Sequence, residues 1–126
     1  MCGIAGYFSL DRDPREAKAL TRAMTDALHH RGPDASGVYQ DGPAALGHAR
    51  LSIVDLSADA NQPMLSADGD VALVFNGEIY NFKTLAAELR AAGVHLRTRS
   101  DTEVLLELYR QHGVAFVERL RGMFAF

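Results

Sequence analysis

Met1-Cys2-Gly3-Ile4-Ala5-Gly6-Tyr7-Phe8 begins the chain and carries its only cysteine in second position. A residue as small as cysteine behind the initiator methionine lets aminopeptidases trim Met1. Cys2 would then hold a thiol and a free α-amine on one residue, and the amine can serve as general base for its own thiol. The structural alternative is an inert core cysteine, the commoner fate of a single Cys in an apolar run. Gly3 to Ser9 reads as a short buried strand, in which Gly3 and Gly6 allow another group to approach the backbone closely.

The rest of the chain sets the context. Its 126 residues suffice for one domain with one core. A net charge of −3 gives no support for nucleic-acid or polyanion binding. One cysteine forms no internal disulfide, which fits a reducing cytoplasm. No signal peptide, membrane-length apolar run, repeat or low-complexity segment is visible. The chain stops at Arg121-Gly122-Met123-Phe124-Ala125-Phe126, which resembles a strand cut off as it starts and leads us to expect a fragment of a longer protein.

Asp13-Pro14-Arg15-Glu16 predicts a helix start with Asp13 as N-cap, and Ala17, Leu20, Met24 and Leu28 predict its apolar face. His29 and His30 suit the helix end better than a metal site, since no other ligand cluster accompanies them. Gly37–Gln40 and Ala44–His48 read as a hairpin turning at Asp41-Gly42-Pro43. Val71–Phe75 reads as a wholly buried strand ending in a sharp Asn76-Gly77 turn. A helix follows from about Asn81 to Gly93, with Phe82, Leu85, Ala86 and Leu89 inward. His95–Thr98 reads as a short strand, Ser100-Asp101-Thr102-Glu103 as a capping box, and Val104, Leu105, Leu108 and Tyr109 as the inner face of the next helix. Ala115–Leu120 reads as one more short helix. The pattern argues α+β or a layered αββα arrangement.

Splitting an amide with a thiolate needs a nucleophile with its base, donors for the oxyanion, a proton shuttle and a recognition pocket. Cys2 can supply the first and third. Asn76 and Gly77 can supply a side-chain amide and a backbone N–H at a strand end; the plain alternative is a hairpin turn. Arg50 offers a fork for a carboxylate, against the default of a surface arginine. Glu78 and Asp101 suit an ammonium group, against a turn carboxylate and a helix cap. A cation and two anions around a thiol would recognise a free amino acid, and an amide to hydrolyse makes that glutamine or asparagine.

Five ordered blocks carry a resemblance: Met1-Cys2-Gly3-Ile4, Arg31-Gly32-Pro33-Asp34, Gly47-His48-Ala49-Arg50-Leu51-Ser52-Ile53-Val54-Asp55-Leu56, Phe75-Asn76-Gly77-Glu78-Ile79-Tyr80-Asn81 and Ser100-Asp101-Thr102-Glu103-Val104. Together they resemble the N-terminal glutaminase domain of glutamine-hydrolysing asparagine synthetases, a class II glutamine amidotransferase of the N-terminal nucleophile hydrolase superfamily. The resemblance covers residues 1–126 and implies a four-layer αββα sandwich, incomplete at its C-terminus.

It also implies roles. Cys2 would form a γ-glutamyl thioester, and Asn76 and Gly77 would hold the oxyanion. Arg50 would bind the substrate α-carboxylate, and Glu78 and Asp101 its α-ammonium. Leu51, Ser52, Ile53 and Val54 would line the pocket. The implied partners are L-glutamine, a C-terminal synthetase domain and a second copy in a homodimer, with neither nucleic acid nor membrane. No metal site and no cofactor are expected in this chain; ATP and Mg²⁺ are implied for the synthetase domain, whose pyrophosphate loop the sequence lacks. Two alternatives stay open: a glutaminase serving another acceptor, and a non-catalytic scaffold that retains Met1.

Overall fold

The computed structural model describes residues 1–11, 13–53 and 55–126. Strand β1 (Gly3–Phe8), helix α1 (Pro14–Ala27), β2 (Ala35–Asp41) and β3 (Ala44–Arg50) form the first half. The three strands make an antiparallel sheet in the order β1-β3-β2, with Ala5 opposite Gly47 and Val38 opposite the same glycine. The β2–β3 hairpin turns through Gly42 and Pro43 as expected, Gly42 taking φ +50°.

α1 starts as its cap predicts: the Asp13 carboxylate accepts from Arg15 N at 2.7 Å and Pro14 occupies the first turn. Its buried face differs from the expected one. Ala17, Thr21 and Thr25 are buried, whereas Leu20 and Met24 are about two-fifths exposed. The sheet dictates this choice. A Cβ at Gly47 would stand 2.0 Å from Thr25 Oγ1, so small residues let helix and sheet approach closely. Thr25 Oγ1 donates to Thr21 O at 2.8 Å, which satisfies its hydroxyl inside that contact. β1 is accordingly buried on one side only: Gly3 and Ala5 turn inward, while Phe8 is exposed.

The second half contains β4 (Met64–Leu65), β5 (Ala72–Leu73), β6 (Asn76–Ile79), α2 (Phe82–Ala91), α3 (Asp101–His112), a 3-10 stretch (Gly113–Arg119) and β7 (Gly122–Ala125). β4 pairs with β5 and β6 with β7, both antiparallel. The run Val71–Phe75 is therefore a strand only at Ala72–Leu73, and burial is complete only at Val74 and Phe75.

Asn76-Gly77 is not a turn. Both residues lie in β6, and neither has positive φ. Pairing with β7 holds the dipeptide extended, and Gly77 is required there by close approach: its Cβ would meet Met123 O at 2.3 Å. His95–Thr98 forms no strand, because the Arg97 and Thr98 N–H groups donate to the Glu103 carboxylate (2.9 and 2.6 Å) and are lost to a sheet. Only half of the capping box forms for the same reason. Ser100 Oγ accepts from Glu103 N at 3.2 Å, but the Glu103 carboxylate is engaged elsewhere.

Phe75, Ile79, Leu85, Leu89, Leu105 and Leu108 build the core between β6, α2 and α3, each nearly inaccessible to solvent. Each such leucine contributes roughly 1.5–3 kcal/mol by its burial. Tyr109, expected inward, is 40% exposed, whereas Leu106 is buried. Leu46, His48 and Arg50 of β3 point away from α1 toward the second half, so the layers run helix, sheet, sheet, helices.

Candidate functional site

Cys2 precedes β1 and is half-buried. Its sulfur accepts from Leu51 N at 3.3 Å, and Leu51 O lies 3.5 Å away as acceptor for the thiol. Arg31 Nε donates to Cys2 O at 2.9 Å, tying the N-terminus to the Arg-Gly-Pro-Asp loop. That loop packs against β3 at Gly32, where a Cβ would stand 2.3 Å from Ala49 O. Asp34 Oδ2 accepts from Ser52 N at 2.8 Å. The Arg31–Asp34 block thus clamps both Cys2 and the segment following Arg50.

One cavity of about 140 Å³ opens beside Cys2. Its wall brings together Cys2, Arg50, Asn76, Gly77, Glu78 and Asp101, from four separate parts of the chain. Leu51 and Ile53 also line it; Ser52 does not, its backbone being turned to Asp34. Val54 lies outside the described residues. Met1 stands at the cavity beside Cys2 and is largely exposed.

Arg50 ends β3 and is buried. Nη1 donates to Ser57 O (2.9 Å) and to Asn61 Oδ1, and Nη2 donates to Asp55 O. Arg50 is therefore no surface arginine; it gathers the loop from Asp55 to Asn61 around itself. The N–H of Nε and the second one of Nη2 have no partner among the described residues. An N–H left free on a guanidinium can take a carboxylate oxygen.

Asn76 and Glu78 share one face of β6, with Gly77 and Ile79 on the other, as strand alternation requires. Asn76 Oδ1 is buried with no hydrogen-bond partner among the described residues. An unpartnered amide oxygen can exchange places with its NH₂ by rotation about the last torsion, offering a donor in its place. Asp101 opens α3 and is buried; its Oδ2 accepts from Ile79 N at 3.2 Å. Burial pushes its carboxyl above the usual range, against the pull of the N–H groups of Ile79 and Thr102, and the negative charge of Glu78 adds to the rise.

Sequence reasoning did not single out Gln62, Asp55 and Glu103 as site organisers. Burial pushes Glu103 up, but donors from Arg97 and Thr98 outweigh it and hold the carboxyl below its ordinary value. Asp55 accepts from Ser57 N (2.8 Å) and Arg99 N (2.9 Å), joining the Arg50 loop to the segment before Asp101. Ser57 and Arg99 between them also hold Asp55 below its usual range. These links span up to 44 residues, and no local spacing announces them.

Among the described residues no group of three or more His, Cys, Asp or Glu is placed to hold a metal ion. Among the described residues no helix is long and apolar enough to cross a membrane.

The family model described as "Glutamine amidotransferase domain" matches residues 1–126. The chain is 43% identical over its full length to asparagine synthetase B [glutamine-hydrolyzing] of Escherichia coli (strain K12), spanning 22% of that protein. It is 41% identical to asparagine synthetase [glutamine-hydrolyzing] 1 of Bacillus subtilis (strain 168), again over the whole chain and 20% of the relative. The chain thus spans about a fifth of the length of these curated relatives. Among solved structures it resembles the glutamine phosphoribosylpyrophosphate amidotransferase of B. subtilis, with a TM-score of 0.76 and 24% identity. The match covers 98% of this chain and 33% of that one. This likeness establishes a shared α+β fold. With a family model spanning every residue from Met1 to Phe126, the chain belongs to the glutamine amidotransferase domain family.

Proposed function

We propose that the chain hydrolyses the side-chain amide of glutamine, giving glutamate and ammonia, once Met1 has been removed. The observation that carries this reading is the meeting of Cys2, Asn76, Gly77, Arg50 and Asp101 around one cavity. The Cys2 sulfur attacks the amide carbon while the thiol proton passes to the Cys2 α-amine. The charge that develops on the amide oxygen is held by Asn76 Nδ2 and Gly77 N–H. Collapse of the tetrahedral intermediate breaks the C–N bond, and the protonated amine returns its proton to the departing ammonia. A water molecule then cleaves the γ-glutamyl thioester, using the same amine as base, and the thiol is regenerated.

Arg50 takes the α-carboxylate of glutamine on its unpartnered N–H groups. Asp101 and Glu78 take the α-ammonium, whose positive charge draws the buried Asp101 carboxyl to its ionised form. Leu51 and Ile53 form the wall beside the substrate, and Ser52 and Val54 complete that segment. The relatives are named as glutamine-hydrolysing asparagine synthetases, which supports ammonia passing to an ATP-dependent C-terminal domain that makes asparagine from aspartate. A cytoplasmic site, favoured by the single free cysteine, and a homodimer belong to the same reading.

The test is intact mass after exposure to a diazo-ketone analogue of glutamine. Loss of Met1 together with one adduct on Cys2 is the expected result. Retention of Met1, or an adduct away from Cys2, overturns the proposal and favours the scaffold alternative.

A further inference from the structure

We infer that Gln62 is a positioning residue that sets the spacing between the oxyanion side and the ammonium side of the cavity; this rests on the glutaminase reading above. Gln62 is buried, with 8% of its surface exposed, and both ends of its side-chain amide are engaged. Oε1 accepts from Phe75 N at 2.6 Å, immediately before Asn76 and Gly77. Nε2 donates to Thr102 Oγ1 at 3.2 Å, immediately after Asp101. One rigid amide plane therefore joins the residue next to the oxyanion donors with the residue next to the ammonium acceptor.

The backbone of Gln62 is fixed as well. Its carbonyl oxygen packs on Gly37 of β2, where a Cβ would stand 2.4 Å away. Its neighbour Asn61 accepts from Arg50, the group assigned to the α-carboxylate. The dipeptide Asn61-Gln62 thus touches supports of all three recognition groups. The amide also identifies its own direction. Phe75 N can only donate, so the oxygen must face it and the NH₂ must face Thr102.

Gln62→Leu removes both bonds at similar volume. In a glutamine-dependent ammonia assay, kcat is expected to fall by roughly tenfold or more and KM to rise, since small misplacements of reacting groups are costly. Thr102→Val cuts only the connection to α3 and is expected to raise KM with kcat retained, while Thr102→Ser, which keeps the hydroxyl, restores KM. Kinetic constants of Gln62→Leu and Thr102→Val within about twofold of the parent chain overturn the inference.

Amide hydrogen exchange without substrate separates this result from failure of the glutaminase reading. Faster exchange at Phe75 in Gln62→Leu, and in Thr102→Val but not Thr102→Ser, with β1–β3 unchanged, supports the brace even if the parent chain releases no ammonia. Unchanged exchange at Phe75 overturns it. Should Gln62→Leu fail to fold, the Val and Ser variants at Thr102 decide by the same two readouts.

Discussion

His48 Nε2 lies 3.1 Å from the carbonyl oxygen of Phe75, a bond that joins β3 to the residue preceding Asn76. The carbonyl can only accept, so Nε2 carries the hydrogen, and in the neutral imidazole Nδ1 carries none. Nδ1 is then an acceptor, buried and without a partner among the described residues. Phe75 receives this bond at its oxygen and the Gln62 bond at its nitrogen, so the strand leading into Asn76 is held from both sides.

Burial of this imidazole makes the fold sensitive to mild acid. Burial lowers the His48 pKa from 6.5 to about 4; the bond to Phe75 opposes that, and the nearby Arg50 charge adds to it. Between these values the unfolded chain binds more protons than the folded one. The stabilisation is complete above pH 6.5 and is lost progressively as pH falls toward 4, by roughly 3 kcal/mol in all. His48→Gln keeps a donor for Phe75 and removes the titration, so its urea midpoint should change little between pH 6.5 and 4.5. An equal slope in both proteins would assign the effect to other groups. Glu103, held below its ordinary value of 4.5, acts in a lower window, where stability falls as pH drops below that value.

Arg50 supports the loop and is proposed to hold the substrate carboxylate, so its removal is expected to have two effects. Arg50→Ala is expected to raise KM for glutamine by about tenfold or more and to lower stability by roughly 1–3 kcal/mol, as Asp55 O, Ser57 O and Asn61 Oδ1 lose a charged donor. Arg50→Lys keeps the charge without the fork and should recover stability better than KM. Steady-state kinetics beside thermal melts check this. Unchanged KM in Arg50→Ala would remove Arg50 from the pocket.

Much of the site was legible because its chemistry is written in residue types. A cysteine behind the initiator methionine, an arginine at a strand end and an acid at a helix start each name what they can do. Their meeting around one cavity was suggested by the order of the motifs, but the supports were not. Gln62 reaches Thr102 across 40 residues, and its neighbours in sequence say nothing of that partner. Two of the misread elements share one cause, which is long-range packing overriding local propensity. Asn76-Gly77 has the composition of a turn but is held straight by β7. Leu20 and Met24 have the period of a buried face, but Gly47 accommodates Thr21 and Thr25 in their place.

Cys2→Ala tests the nucleophile directly. Among the described residues the hydrogen bonds of the sulfur are with Leu51 alone, and none goes to a proposed recognition group. Ammonia release is expected to vanish while glutamine still binds, as seen by calorimetry or by protection against melting. Release at the parent rate would exclude Cys2 as nucleophile. Loss of both release and binding would mean that the Cys2–Leu51 contact is needed to form the pocket.

Gly77 carries the last prediction, because it can be tested against a second glycine in the same chain. A Cβ at Gly77 would stand 2.3 Å from Met123 O and 2.6 Å from Phe124 Cα, both backbone atoms that cannot turn aside. Gly77→Ala must therefore separate β6 from β7 and shift the proposed oxyanion donors. It should cost about 1–3 kcal/mol of stability from overpacking. Loss of oxyanion contacts should also lower kcat by roughly 100-fold. Gly69 has φ +80° with open space around it, so Gly69→Ala strains only a turn, costs about 1 kcal/mol and leaves kcat alone. Comparing kcat at matched folded fraction separates the two effects. Equal kcat in both variants would remove the Gly77 N–H from the oxyanion site.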